Sequence, residues 1–221
     1  MRVAALSDVH GNLPALEAVL AEIDAVDVEA IVCCGDVAAG PFPRECLEVL
    51  RSRGAAFVRG NADREPSAWL TEQLPLAERE FLKQLPHLHS LGGVLYCHGS
   101  PRSDDEILTR ISSDERLCAA LAGVEEKVVV GGHTHVQFER EVDGIRFVNA
   151  GSVGMPYEGR RGAFWALLDG VAVELRRTPY AVEAAVTALR ATAYPEAEQL
   201  STWLLEPVDP AETSSYFESI A

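Results

Sequence analysis

The sequence lacks a long apolar run, although hydrophobic residues make up 48% of its 221 residues. A membrane-spanning helix needs about 20 consecutive apolar residues, and no stretch approaches that length. The N-terminal apolar run meets Asp8 too early to form the core of a secretory signal peptide. We therefore expect a soluble, cytoplasmic protein with no membrane partner.

Paired-cysteine motifs and glycine-rich nucleotide loops are also missing. The five cysteines are odd in number and none forms a C-x-x-C pair, which argues against a disulfide framework or a thiolate zinc site. There is no P-loop, G-x-G-x-x-G or G-x-S-x-G motif, so the usual nucleotide-binding and serine-hydrolase sites are not indicated. The cysteines are Cys33, Cys34, Cys46, Cys97 and Cys118.

Basic residues are scarce: 19 Lys and Arg stand against 34 Asp and Glu, which gives a formal net charge of −15. Because nucleic-acid-binding surfaces are normally basic, we do not expect a long nucleic-acid partner. A small phosphorylated substrate held at a local cationic centre is compatible with this charge. So is a surface charge that serves only solubility.

What the sequence does contain is a repeated unit in its first third. Apolar runs at residues 2–6, 30–34 and 55–58 each end in a polar loop, and a helical pattern follows. Asn12 is suited to cap the first of these helices. Strands that alternate with helices favour a parallel-type α/β sheet.

Turn signals change this pattern further along the chain. A Gly-Gly pair predicts a hairpin within residues 88–97, and two Asp-Gly pairs predict antiparallel hairpins at about 137–149 and 163–177. Residues 65–85 are expected to be helical with a break at a proline. The acid-rich segment 100–123 is either a lid over a site or one or two connecting helices.

The C-terminal part of the chain follows a different pattern. We assign residues 1–178 to one domain, and apolar stripes at helical spacing predict helices within 179–206 that pack on it. A homo-oligomer contact is the alternative use of those stripes. Residues 207–221 are predicted to form a polar, frayed tail.

The candidate chemistry lies where the predicted strands end. In open α/β sheets ligands collect beyond the carboxyl ends of the strands, and here those positions carry residues that bind metals. A His-x-His pair that follows a three-valine run is the clearest of them. The set comprises Asp8, His10, Asp36, Asn61, His98, His133 and His135.

This set is too large for one ion. Four imidazoles, two carboxylates and one amide oxygen exceed a tetrahedral site and suit two ions of intermediate softness. Two metal ions about 3.5–4 Å apart need a bridging group with two oxygen donors, which a carboxylate supplies. Asp36, central in chain order, is the predicted bridge.

Each of these residues also has a purely structural explanation. Asp8 is suited to cap the following helix, Asp36 to occupy a turn and Asn61 to adopt a left-handed conformation. His98 is compatible with an ordinary hydrogen-bonded histidine at a strand end. The coincidence of all seven at strand ends nevertheless favours a metal centre.

The order and wording of these motifs resemble the calcineurin-like metallophosphoesterase superfamily, whose pattern is D-x-H, G-D, G-N-H-[DE], [GC]-H-G and G-H-x-H. A further segment resembles the N-P-G-S-x-G stretch of the small prokaryotic phosphodiesterase branch. The resemblance covers residues 1 to about 177. The matching segments are Asp8-Val9-His10, Gly35-Asp36, Gly60-Asn61-Ala62-Asp63, His98-Gly99, Gly132-His133-Thr134-His135 and Asn149-Ala150-Gly151-Ser152-Val153-Gly154.

The resemblance implies a fold, a cofactor and a mechanism. The fold is a two-sheet αββα sandwich of class α/β, here with extra C-terminal helices. The cofactor is a pair of divalent metal ions, with Mn first and Fe, Zn, Ni or Co as alternatives. A hydroxide that bridges them would attack phosphorus, because metal binding lowers the pKa of water from ~15.7 toward ~7. The implied ligands are Asp8, His10, Asp36 and His135 for one ion, and Asp36, Asn61, His98 and His133 for the other.

Ala62 departs from the superfamily pattern, which has at this position a histidine thought to protonate the leaving group. The small prokaryotic branch commonly lacks it too. Asp63 is a candidate supporting residue beside it. His87 and His89 are candidate replacements for the missing acid, although surface positions at a strand edge suit them better, and Arg59, Arg102 and Arg110 are candidate phosphate ligands.

The leading hypothesis is therefore a phosphodiesterase that acts on small phosphate esters. One alternative keeps the chemistry but makes it a phosphomonoesterase that acts on phosphoprotein or on a nucleotide such as a dinucleoside polyphosphate. Another alternative, of a different class, is a protein-binding scaffold without catalysis, because the superfamily includes such members. The complete set of ligands speaks against the scaffold and Ala62 weakly for it.

Overall fold

The computed structural model describes all residues from 1 to 221 and contains two five-stranded mixed sheets. The strands, numbered in chain order, are β1 (Arg2–Leu6), β2 (Ala30–Cys33), β3 (Ala56–Phe57), β4 (His89–Leu91), β5 (Val94–Tyr96), β6 (Val128–Gly131), β7 (Phe138–Val142), β8 (Ile145–Asn149), β9 (Ala163–Asp169) and β10 (Ala172–Thr178).

The two sheets have similar mixed connectivity. The first has the order β10-β9-β1-β2-β3, in which β1, β2 and β3 are parallel and β9 runs antiparallel to β1. The second has the order β4-β5-β6-β8-β7, in which β5, β6 and β8 are parallel. The hairpins predicted from Gly-Gly and Asp-Gly turns are confirmed as β4–β5, β7–β8 and β9–β10.

The sheets stack face to face because their strands are apolar on both sides. In β1, Val3 and Ala5 belong to a buried cluster that also contains Val130 and Val148 of the second sheet. The alternate residue Leu6 faces the helices outside the first sheet instead. Successive side chains on a strand point to opposite faces, so an unbroken apolar run indicates a sheet buried on both sides. The αββα sandwich is confirmed.

Helices cover both outer faces of the sandwich. Asn12 caps the first helix, since its side chain accepts a hydrogen bond from the amide of Ala15. The helical segment expected at 65–85 is two helices, separated at Leu74 and Pro75. The helices are α1 (Leu13–Ala25), α2 (Pro43–Ser52), α3 (Asn61–Arg64), α4 (Ala68–Gln73), α5 (Leu76–Lys83), α6 (Asp114–Ala120), α7 (Val182–Arg190), α8 (Ala197–Leu205) and α9 (Pro210–Ile220). None of them has the length and apolarity that crossing a bilayer demands.

The segment 100–123 is mostly loop and contains only the short helix α6. Leu117 of α6 and Leu108 of the preceding loop pack on the outer face of the second sheet. The same loop touches the candidate site at one point, where the hydroxyl of Thr134 donates to the carbonyl of Leu108 at 3.3 Å. Helix α6 thus behaves as a connecting helix.

The prediction of a frayed tail at 207–221 is wrong, because most of this segment forms α9. Asp209 caps the helix by accepting hydrogen bonds from the amides of Ala211 and Glu212, and Pro210 occupies the first turn. The apolar stripe of α9 is too weak to indicate a helix by itself. Glu218 ties the helix to the segment 100–123, the ring of Phe217 lies 6.5 Å from that of Tyr157, and Thr213 and Ser214 are buried.

We predict that Glu218→Ala loosens α9 without unfolding the protein. Glu218 accepts hydrogen bonds from Thr109 at 2.7 Å, from Arg116 at 3.1 Å and from Ser112. Their loss should cost about 1–2 kcal/mol locally, so amide hydrogen exchange in α9 should accelerate roughly 5- to 30-fold. Glu212→Ala is the control, since its exposed carboxylate makes no hydrogen bond. Equal rates of amide hydrogen exchange in the two variants would show that Glu218 does not hold α9 in place.

Candidate metal centre

The seven predicted site residues converge at one place between the sheets. They come from the loops after β1, β2, β3, β5 and β6, all at the carboxyl ends of parallel strands. Five loops that are distant in sequence therefore meet around two buried carboxylates, Asp8 and Asp36.

Asp8 lies at the centre of the cluster. Its Oδ1 atom is 3.1 Å from Nε2 of His135, 3.7 Å from Nε2 of His10 and 3.9 Å from Nε2 of His98. Two groups of three residues have ligand atoms within 4.8 Å of one another, and Asp8 belongs to both. The groups are Asp8, His10 and His135, and Asp8, Asp36 and His98.

Asp36 lies beside it and faces the same imidazoles. Its Oδ2 atom is 3.5 Å from Nε2 of His98 and 3.8 Å from Nε2 of His10. Asn61 adds an amide oxygen 3.0 Å from Nε2 of His98. The ring of His133 lies 5.1 Å from that of His98, centroid to centroid.

Backbone carbonyls fix the orientation of three imidazoles. Nδ1 of His98 is 2.6 Å from the carbonyl of Cys34, and Nδ1 of His135 is 2.7 Å from that of Met155. Nδ1 of His10 is 3.2 Å from the carbonyl of Ala39. A carbonyl can only accept, so each Nδ1 carries a proton and each Nε2 is turned inward, where it can hold a second proton or a cation.

These inward Nε2 atoms face one another and the two carboxylates. Nε2 of His10 and Nε2 of His135 are 3.1 Å apart, although both are acceptors in the neutral tautomers that the carbonyls select. Two facing lone pairs repel unless a cation or a proton stands between them. Metal-ligating histidines commonly have this arrangement, with the second ring nitrogen held by a carbonyl or carboxylate.

Each carboxylate is anchored through one oxygen only. Oδ2 of Asp8 accepts from the amide of His133 at 2.9 Å, and Oδ1 of Asp36 accepts from the amide of Ala62 at 2.9 Å. The remaining oxygen of Asp8, Oδ1, is buried and accepts no hydrogen bond. A buried carboxylate oxygen without a donor is costly, and a bound cation would relieve that cost. The residues present therefore fit a divalent metal.

The titration behaviour of the cluster reflects its negative potential. Burial raises the pKa of Asp36, but the charges of His98 and His10 outweigh burial and lower it to about 2. In the same way, His135 and His98 hold the pKa of Asp8 well below its usual range despite burial. Burial lowers the pKa of His98, yet Asp36 and Asp8 raise it to about 10. Both carboxylates are ionised at neutral pH, and the cluster attracts positive charge.

The backbone is strained at the site and at few other places. Only seven non-glycine residues have a positive φ, and five of them are candidate ligands. Such conformations cost about 1–3 kcal/mol each and persist where the surroundings impose them, often at functional sites. The five are Asp8 (φ 54°), His10 (45°), Asp36 (53°), His133 (70°) and His135 (57°).

Two glycines allow the loops to approach this closely. A Cβ atom at Gly132 would lie 1.9 Å from Oγ of Ser7 and 2.4 Å from Oδ2 of Asp8. A Cβ atom at Gly60 would lie 2.1 Å from Oδ1 of Asp36. Any side chain at either position would push the carboxylates out of place.

The motif residues outside the ligand set support the loops. Asp63, flagged in the sequence only as a supporting candidate, accepts hydrogen bonds from the amides of Asp36 and Gly60 at 2.8 and 2.9 Å. Asn149 donates to the carbonyl of Gly132 and to the hydroxyl of Thr134, which fixes the His-x-His loop. The sequence did not indicate this role, because the partners of Asn149 lie 15 and 17 residues away.

The other candidate residues are placed differently. The side chains of Arg59 and Arg102 bind Asp104 and Glu106, so carboxylates already hold both guanidinium groups. Nε of Arg110 is buried without a partner. The two remaining histidines do not join the cluster: His87 contacts the carbonyl of Pro101, and His89 lies on edge strand β4.

The family of the chain follows from comparison with known proteins. The model of the calcineurin-like phosphoesterase superfamily domain matches residues 1–170, and the chain belongs to that family. Membership implies a phosphoester hydrolase, and the family generally binds divalent metals. This agrees with the geometry of the carboxylate and imidazole cluster.

Individual relatives support the same assignment. A metallophosphoesterase from Sphaerobacter thermophilus is 30% identical, with a TM-score of 0.81 over 93% of this chain and 99% of its own. The protein MJ0912 of Methanocaldococcus jannaschii is 25% identical over 88% of this chain and 94% of its own length. Yfce, a phosphoesterase from E. coli, is 25% identical, with a TM-score of 0.55 over 80% of this chain and 93% of its own.

We predict that Asp63→Asn weakens the fold around the site. The amides of Asp36 and Gly60 share Oδ2 of Asp63, and the amide of Val37 donates to Oδ1 at 3.4 Å. An asparagine has one acceptor oxygen, so its NH2 group would face the amide of Val37 or those of Asp36 and Gly60. The expected loss is about 1–3 kcal/mol in the free energy of unfolding, measured by urea denaturation. Asp105→Asn is the matched control, because Asp105 is exposed and pairs only at the surface. If both variants unfold at the wild-type urea concentration, Asp63 does not hold the loops.

Proposed function

We propose that the protein is a dinuclear-metal phosphodiesterase that hydrolyses small phosphate esters. One observation carries the proposal: three inward-facing Nε2 atoms surround a buried carboxylate oxygen that has no hydrogen-bond donor. An apolar core does not need that arrangement, whereas a pair of cations does.

The proposed ligands fall into two sets. Asp8, His10 and His135 would hold one ion, together with Asp36. Asp36 and His98, together with Asn61 and His133, would hold the other. The sequence pointed to Asp36 alone as the bridge, but Asp8 reaches both groups as well, so both carboxylates are candidates. Manganese is the first candidate metal, as the family resemblance implies, and Fe, Zn, Ni or Co are the alternatives that a mixed set of carboxylate, imidazole and amide ligands also suits.

The residues of the chain would prepare this chemistry. When bound, two divalent ions lower the pKa of coordinated water and withdraw charge from phosphoryl oxygens. Asp8 and Asp36 would offset part of the cationic charge and stay ionised, while the backbone bonds to their second oxygens keep their free oxygens in place. The carbonyls behind His10, His98 and His135 keep each Nε2 lone pair on the ligand side.

A small diester is the substrate class that we favour. With a net charge of −15, the protein repels a dianionic monoester more strongly than a monoanionic diester. Phosphomonoesterase activity on phosphoprotein or on a nucleotide is the alternative within the same chemistry. A protein-binding scaffold is the alternative without catalysis.

A cytoplasmic location is also proposed, since all five cysteines are free thiols.

We predict that protein reconstituted with Mn²⁺ holds two ions per chain and hydrolyses bis(p-nitrophenyl) phosphate faster than p-nitrophenyl phosphate. Asp36→Ala should lose metal and activity together, because it removes an oxygen shared by both ligand sets. Elemental analysis and initial rates measure the two effects in the same preparation.

Asp24→Ala is the control, since Asp24 is an exposed acid outside the candidate ligand set and pairs only with Arg53. Absence of turnover with Mn²⁺, Ni²⁺, Co²⁺ and Zn²⁺ would refute the proposal that the protein is an enzyme. Faster cleavage of the monoester would favour the phosphomonoesterase. Full cellular function of Asp36→Ala would favour the scaffold.

A second prediction concerns the missing proton donor at Ala62. Ala62 is half-buried beside Asp36, so an imidazole introduced there would have access to the site. Ala62→His should raise the rate on diesters with a poor leaving group by about tenfold and leave p-nitrophenyl esters nearly unchanged, since only the poor leaving group needs a proton. Rates across diesters of increasing leaving-group pKa measure this effect.

Ala62→Asn is the matched control, because it adds a polar side chain without an acidic proton. A gain that is equal for all leaving groups, or equal in both variants, would show that the position has no role in proton donation.

A further inference from the structure

A small cavity opens beside the candidate metal centre. It has a volume of about 220 Å³, and His10 forms part of its wall. Because a whole drug-sized ligand fills roughly 300–1,000 Å³, this cavity holds one ring system at the end of a larger molecule. The other walls that matter here come from Ala39, Met155, Tyr194 and Trp203.

The cavity and the metal centre share parts. The carbonyl of Ala39 orients His10, and the carbonyl of Met155 orients His135. His10 is thus both a wall of the cavity and a member of the carboxylate and imidazole cluster. A group seated in the cavity is therefore adjacent to any phosphoryl group held at the cluster.

The outer wall comes from the C-terminal part of the chain. Tyr194 precedes α8, while Leu200 and Trp203 lie on it, and all three are outside residues 1–170 that match the family model. The carboxylate and imidazole cluster thus lies in the family domain, and α8 encloses the cavity beside it. Such an addition is expected where a common fold acquires specificity for a substrate.

The aromatic rings in this wall are held firmly. Tyr157 stacks on His135 with centroids 5.0 Å apart and planes 20° apart, and its edge meets Trp203 at 5.7 Å. The ring of Tyr194 lies 5.8 Å from that of Trp69, and its hydroxyl donates to the carboxylate of Glu196 at 3.0 Å. The aromatic wall is thus already in position, so it loses little freedom when a ligand binds.

We propose that this cavity, which we name the Trp203 cavity, binds a flat aromatic group of the substrate, such as an aryl ring or a nucleobase. The proposal rests on the proposed phosphoesterase function and specifies its substrate. Aromatic faces favour a planar ring over an aliphatic chain. The carboxylate of Glu196 in the same wall suits a ring that carries N–H donors.

A matched pair of phosphonates tests the proposal without any turnover. Phenylphosphonate and methylphosphonate have the same phosphonate group and differ only in the organic substituent. Metal-reconstituted protein should bind phenylphosphonate about tenfold more tightly by calorimetry, the size of effect expected from one aromatic stack. Trp203→Leu should lower affinity for phenylphosphonate about tenfold more than affinity for methylphosphonate.

Tyr216→Leu is the control. Tyr216 is an exposed aromatic residue that lines a different cavity, together with Phe217 and with Trp203 itself, which borders both cavities. The ratio of the two affinities should stay at the wild-type value in this variant. A second variant, Leu200→Phe, fills the Trp203 cavity and should remove the preference for phenyl even if Trp203→Leu folds poorly.

The possible outcomes separate the two proposals. Three results would contradict the proposal that the Trp203 cavity binds an aromatic group. They are equal affinity for the two phosphonates, no binding of phenylphosphonate, and a preference for phenyl that persists in both Trp203→Leu and Leu200→Phe. Loss of the preference in Tyr216→Leu would also overturn it, because the ring would then occupy the other cavity. A Trp203-dependent preference without hydrolysis of any ester would leave the cavity standing and refute the proposed function alone.

Discussion

The structure depends on a buried charge that its own atoms leave incompletely compensated. Oδ1 of Asp8 has no hydrogen-bond donor, and the Nε2 atoms of His10, His98 and His135 face it at 3.1–3.9 Å. Burying such charges costs several kcal/mol, and within the cluster the neighbouring imidazoles offset part of that cost. The surrounding sandwich offsets this cost with a core between two sheets and helices on both outer faces. The cluster of carboxylates and imidazoles is thus a buried place suited to cations.

The same constraint explains the local backbone. Candidate ligand residues at positive φ turn sharply away from their strands, which brings five loops together within a few ångströms. The glycines at Gly60 and Gly132 remove the side chains that would block this approach. Asp63 and Asn149 then lock the loops by hydrogen bonds to the backbone. The ligands are therefore held in position by the loops that carry them.

Much of this arrangement was predictable from the sequence, for reasons that are local. Apolar runs followed by Asp or His predict strand ends, and Asp-Gly turns predict hairpins, because both signals lie within a few residues. That Asp8 belongs to both ligand groups was not predictable, since it depends on a spacing set by five loops. Helix α9 was missed because contacts with distant parts of the chain hold it, among them those of Glu218 with partners about a hundred residues away. The Trp203 cavity depends in the same way on contacts between distant segments.

The most direct test of the account is the anomalous scattering of crystals of the Mn²⁺-reconstituted protein. The account predicts two peaks about 3.5–4 Å apart, the usual separation in two-metal sites, with Asp8 and Asp36 between them. It also predicts that Nε2 of His10, His98 and His135 point at the peaks. A single ion, no ion, or ions bound elsewhere on the acidic surface would contradict it.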